Sequence, residues 1–99
     1  MGDRASISFR KGKDESVTLF SHWGGKAFQD NAEKYIYQLK QLQKGKMVYP
    51  LERLEPATVM VDFIRSLTTG MDRVKSDLYL GRDSTDGDNS NNGHRIIDL

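Results

Sequence analysis

The chain predicts an α+β fold, an antiparallel sheet of about four strands in ββααββ order with two helices packed on one face. Three observations carry this. Two alternating segments near the start are joined by a short glycine-containing turn. Two stretches in the middle repeat their apolar residues every three or four positions, and two short β-type runs close the chain.

Residues 5–10, ASISFR, alternate small polar residues with Ile7 and Phe9, as a half-buried strand does. KGKDE turns the chain, and SVTLFSHW forms the second strand, with Val17 and Leu19 on one face and Thr18, Phe20 and His22 on the other. After Gly24 and Gly25, the run AFQDNAEKYIYQLKQLQKG places Phe28, Ala32, Tyr35 or Ile36, Leu39 and Leu42 on one helical stripe, with Gly45 as its stop. KMVYPLERLEP is a connector, and Pro56 suits the first turn of a helix because that position needs no N–H. ATVMVDFIRSL then sets Val59, Phe63 and Leu67 on one stripe before TTG ends it. SDLYLGR and HRIIDL are the third and fourth strands, so the polar stretch between them reads as the loop of a second hairpin.

Ninety-nine residues suffice for one domain, 1–99, and one core. The chain has no cysteine, which excludes disulfides, thiolate zinc sites and cysteine nucleophiles. The polar start MGDRASISF and the lack of any apolar run of about 20 residues lead to the expectation of a soluble, cytoplasmic protein. A net charge of +1 argues against a protein built mainly for nucleic acid. Lys34, Lys40, Lys44 and Lys46, with Lys11 and Lys13, read as solubilising charge, and a protein partner is more in keeping with the composition than nucleic acid or a membrane. Residues 76–99 hold five aspartates against two arginines, net −3, which leaves +4 on residues 1–75.

That acidic tail contains RDSTDGDNSNNGH, the most distinctive stretch of the chain. Calcium takes six to eight oxygen ligands from a turning backbone, and Asp83, Asp86, Asp88, Ser90 and Asn92 offer such oxygens, helped by Asn89 and Asn91. DNSNNG matches the first half of an EF-hand loop, but the twelfth position is Leu99 where a bidentate glutamate belongs, so an EF-hand is excluded. Calcium or another divalent cation, ordering the loop, is the one cofactor in view. The competing reading is a solvated turn, since Asp, Asn, Ser and Gly are also the residues that make Asx-turns.

The second candidate is SHWGGK. Glycines at a strand-to-helix junction let backbone N–H groups approach a ligand, which marks His22, Trp23, Gly24, Gly25 and Lys26 as binding candidates, with His94 after the acidic loop. No phosphate-loop or dinucleotide fingerprint is present, and the plain alternative is a tight turn sealed by Trp23. Ser21 and His22 are adjacent on a strand and face opposite ways, so they form no direct dyad. The pairing of SHWGG with YLGRDSTDGDNSNNGH resembles small prokaryotic and phage proteins of unassigned activity. That resemblance implies one site made from both motifs and brings no catalytic residue. Two function classes follow. The first is a non-enzymatic binding module using Trp23, Gly24, Gly25 and the loop from Asp83 to His94. The second is a metal-dependent hydrolase or nuclease using His22, His94 and the loop aspartates.

Overall fold

The computed structural model describes residues 2–43, 54–68 and 77–99. The elements are β1 (Ala5–Lys11), β2 (Asp14–Glu15), β3 (Thr18–Ser21), α1 (Gly25–Gln43), α2 (Pro56–Thr68), β4 (Leu78–Gly81) and β5 (His94–Asp98). The α+β class, the strand and helix order and the largely antiparallel sheet are as the sequence predicts. Several expectations lie outside the described residues: the stop at Gly45, the connector through Pro50, the TTG stop, Lys44 and Lys46, and the side chain of Leu42. Among the described residues, no helix is long and apolar enough to cross a membrane.

β1 is the centre of the sheet. It pairs antiparallel with β3 on one side, where Ala5 faces Ser21 and Ile7 faces Leu19, and its end pairs with β2. β3 pairs antiparallel with β4. β2 and β3 are one strand interrupted at Ser16 and Val17. There the Ser16 amide donates to the Phe9 carbonyl at 2.8 Å, and the Ser16 hydroxyl accepts from the Phe9 amide at 3.0 Å. The side chain takes over a ladder position, so the strand bulges and Val17 turns out to solvent instead of sharing the Leu19 face.

The expected second hairpin does not form. β5 pairs parallel with β1, from Ser6 opposite His94 to Arg10 opposite Asp98, at the edge away from β4. Residues 82–93 therefore cross the sheet from one edge to the other. An antiparallel neighbour can follow a short turn, whereas a parallel one needs a crossover of about a dozen residues, and the oxygen-rich stretch is that crossover.

Each face of the sheet takes its contents from strand alternation. Ala5, Ile7, Phe9, Leu19 and Ile97 lie on one face and pack with Phe28, Ala32, Ile36 and Leu39 of α1 and Val59, Met60 and Phe63 of α2. Phe9 and Phe63 meet edge to face at 5.6 Å. Pro56 opens α2 at its first helical position, as expected. The Tyr35 hydroxyl of α1 donates to Asp62 of α2 at 2.5 Å, and burial first, then this carboxylate, pushes the phenol's pKa up. Ser6, Ser8, Thr18 and Phe20 lie on the other face, and all are fully buried because the crossover covers them. Tyr79 stacks on Phe20 at 5.0 Å, and Gly87 rests on both rings so closely that a Cβ there would sit 2.8 Å from one and 2.9 Å from the other.

The Thr18 hydroxyl is buried with no hydrogen-bond partner among the described residues. A buried, unpaired hydroxyl costs stability that a methyl of the same shape does not. Thr18→Val is therefore expected to stabilise the fold by about 1 kcal/mol, read as a shift of the urea midpoint at unchanged slope. A destabilised variant would show that Thr18 has a partner after all.

Candidate functional site

SHWGG closes β3 and opens α1, and it is held from two sides. On one side, the Asp77 carboxylate accepts from the Ser21 hydroxyl at 2.9 Å and from the Trp23 amide at 2.8 Å, while the Ser21 hydroxyl oxygen accepts from the Gly24 amide at 2.8 Å. On the other, the Asp3 amide donates to the His22 carbonyl at 2.9 Å and the Asp3 carbonyl accepts from the Gly25 amide at 2.8 Å. Gly25 sits at φ +59, and a Cβ there would lie 2.0 Å from an Asp3 oxygen; a Cβ on Gly24 would lie 2.6 Å from Phe28 and Ser21. Both glycines are thus required by the turn itself, and their amides are already bonded within the chain. Trp23 is 57% exposed, with its ring edge on His22 at 4.6 Å, and Lys26 is exposed on the first turn of α1.

The carboxylates of the acidic loop do not converge. Asp83 accepts from the Thr85 hydroxyl and amide, bonds that hold its pKa below the usual carboxylate value. Asp86 accepts from the Arg82 amide at 2.9 Å, and its carboxylate faces the Arg82 guanidinium. Asp88 accepts from the Ser90 amide at 3.0 Å, which lowers its pKa, and pairs with Arg4 at 3.1 Å. The Asn92 side chain donates to Asp3 and to the Arg4 carbonyl. Ser90 offers its amide to the turn and is otherwise exposed. These are Asx-turns and braces to the N-terminal segment. Among the described residues no group of three or more His, Asp or Glu side chains is placed to hold a metal ion.

His94 is where the polar side chains do meet. Its Nδ1 lies 2.8 Å from the Ser6 hydroxyl and its Nε2 lies 3.0 Å from the Ser8 hydroxyl. Ser8 also donates to Glu15 at 2.7 Å, and Ser6 accepts from the Asn89 side chain at 2.9 Å. Glu15 accepts from Ser8, and with a neutral imidazole one direction of bonding satisfies every member. Asn89 donates to Ser6, Ser6 to Nδ1, Nε2–H to Ser8, and Ser8 to Glu15. Burial lowers the imidazole's pKa and so favours this neutral form, with Glu15 partly opposing. His22 takes no part in this network, since its ring rests on Trp23. Sequence reading missed Ser6, Ser8, Glu15, Asp3 and Asp77. The visible signal was the pair of serines two apart on the strand face away from Ile7 and Phe9.

A cleft of about 610 Å³ opens beside the turn on the helix side, between the start of α1, the end of α2 and the start of β4. Phe28, Ala27, Leu67 and Leu78 line its apolar part. Asp30, Asn31, Lys34, Ser21 and Asp77 give it a polar rim. Asp30 is paired with Arg95 at 2.8 Å, while Lys34 has no ion-pair partner among the described residues. Compared with known proteins, the chain matches no family model, no curated protein and no solved structure.

Gly25→Ala must adopt a left-handed backbone and displace the Asp3 carboxylate, at an expected cost of about 1–2 kcal/mol in thermal or urea unfolding. A loss below about 0.3 kcal/mol would mean the turn relaxes freely. His94, with a folded pKa below its unfolded one, adds stability that is complete above about pH 6.5 and is lost as pH falls through the folded value. Urea unfolding from about pH 7.5 to 4.5 should show a steeper loss in the wild type than in His94→Gln. Parallel profiles would remove His94 from the stability of the loop.

Proposed function

We propose that the protein is a non-enzymatic binding module working in the cytoplasm, and that it receives an apolar group with a polar tip in the cleft beside SHWGG. The supporting observation is the cleft itself. Its volume falls in the range of small-molecule sites, its wall is apolar, and its few polar groups are grouped at the rim. Trp23 is outside the lining but exposed, one residue before Gly24, and offers an aromatic surface in the same turn. The absence of cysteine is in keeping with a reducing compartment.

The alternative, a metal-dependent hydrolase, draws less support from the geometry. His94 is engaged with the serines and the His22 ring lies on Trp23; Asp83 and Asp86 are held within the loop, and Asp88, which feels the charge of Arg4 and His22, is taken by the Ser90 amide and Arg4.

Amide NMR against small aromatic amines and carboxylates tests the binding reading. Saturable shifts are expected at Ala27, Phe28, Asn31, Lys34 and Leu78 with Kd near 1 mM, roughly the affinity open to fragments. Ala27→Trp, which fills the cleft from an exposed helical position, should abolish them. Shifts that scatter over the surface, or that persist in Ala27→Trp, would remove the cleft from the function.

A further inference from the structure

We propose that β5 is a dimerisation edge, pairing antiparallel with β5 of a second copy of this chain about a two-fold axis at Ile96. The argument begins with the parallel ladder to β1. The Gly93 carbonyl accepts from the Ser6 amide at 3.2 Å and the Leu99 amide donates to the Arg10 carbonyl at 2.8 Å, so odd-numbered residues turn their backbone groups toward β1. In a parallel pair the orientation alternates, so the N–H and C=O groups of His94, Ile96 and Asp98 point out of the sheet. None of them has a hydrogen-bond partner among the described residues. A row of unpaired donors and acceptors on an edge strand is a template for another strand.

The side chains select a copy of the same chain as the occupant. An antiparallel two-fold keeps each face of the sheet on its own side, so opposed residues must share a face. Centring on Ile96 satisfies this and opposes the outward-pointing residues to one another. Ile96 meets the second copy's Ile96, and His94 lies opposite the second copy's Asp98. Every outward backbone group then finds a partner. Ile96 is 38% exposed and gains an apolar neighbour.

The helix flanking this edge has the same symmetry. A groove between α1 and β5 is lined by Glu33, Ile36, Tyr37, Lys40, Ile96 and Asp98, among others. Glu33 touches Arg95 at 3.3 Å, level with the start of β5, and Lys40 lies toward Asp98, so α1 runs alongside β5 in the same sense. Tyr37, 66% exposed, stands between Glu33 and Lys40 on one helical stripe. The two-fold that centres Ile96 brings Tyr37 near its copy and sets Glu33 of each chain against Lys40 of the other. Lys40 has no ion-pair partner in its own chain among the described residues. The patch is isologous in charge, apolar contact and backbone hydrogen bonding.

Sedimentation equilibrium of the full chain, from about 5 μM to about 1 mM, tests this, with a monomer–dimer equilibrium expected near 10 μM. Ile96→Pro removes the outward N–H and the Ile96 side chain at the axis while costing no ladder bond to β1, as edge strands tolerate, and should weaken the dimer at least ~100-fold. Lys40→Glu should weaken it about fivefold, and Glu33→Lys with Lys40→Glu should recover most of that loss. Should Ile96→Pro fail to fold, hydrogen exchange of the wild-type Ile96 amide, protected at high concentration and fast at low, reports the same pairing. A wild type that stays monomeric throughout, or a dimer indifferent to Ile96→Pro and the charge exchange, overturns the proposal. Neither result touches the cleft reading, which rests on another face of α1.

Discussion

β1 is buried on both of its faces, and that single constraint organises the rest. On one face Ala5, Ile7 and Phe9 are covered by the two helices, which is the ordinary way a sheet removes apolar area from water. On the other, Ser6 and Ser8 are equally buried, and a buried hydroxyl without a partner is costly. A second layer of apolar side chains would leave them orphaned. The chain instead brings polar groups to them, namely His94 from the neighbouring strand, Glu15 from β2 and Asn89 from the crossover. The crossover is thus the sheet's second cover. Gly87 lies flat on Phe20 and Tyr79 while Asn89 reaches Ser6.

The strand-to-helix turn meets the same demand for satisfied backbone groups by a different means. Asp3 and Asp77, from segments far apart in sequence, each supply acceptors to it. Asp3 also receives the Asn92 side chain, so the N-terminal segment ties the turn to the crossover. One consequence is chemical. The amides of Trp23, Gly24 and Gly25 are already bonded within the chain, so an approaching ligand meets side chains and a concave wall there rather than free backbone donors.

The legible parts of the fold were those with a local cause. The period of the α1 stripe, Pro56 at the head of α2 and the alternation in ASISFR each depend on residues a few positions apart, and each appears where read. The pairing of β5 depends on β1, nearly ninety residues earlier, and no local pattern reports it. HRIIDL has the β-type residues of a strand, but composition names a conformation and not a neighbour, so the nearest strand in sequence was the natural but mistaken partner. The acidic loop is ambiguous in sequence for a related reason. Asp, Asn and Ser supply oxygens to an ion and to their own backbone alike, and composition does not distinguish the two uses. Asp83 with Thr85 and Asp88 with Ser90 show the second. Asp77, which holds the turn beside the cleft, was invisible because nothing around it repeats.

The cleft and the β5 edge lie on different stripes of α1, the first taking Ala27, Asn31 and Lys34 and the second Glu33, Tyr37 and Lys40. A dimer through β5 therefore leaves the cleft open, and two copies would present two clefts on the same side of one continuous sheet. The stripes meet at Arg95. It stands on β5, pairs with Asp30 at 2.8 Å and with Glu33 at 3.3 Å, and so joins a residue of the cleft rim to one of the dimer groove. In the proposed dimer the second copy's Lys40 would give the Glu33 carboxylate a second cation beside Arg95.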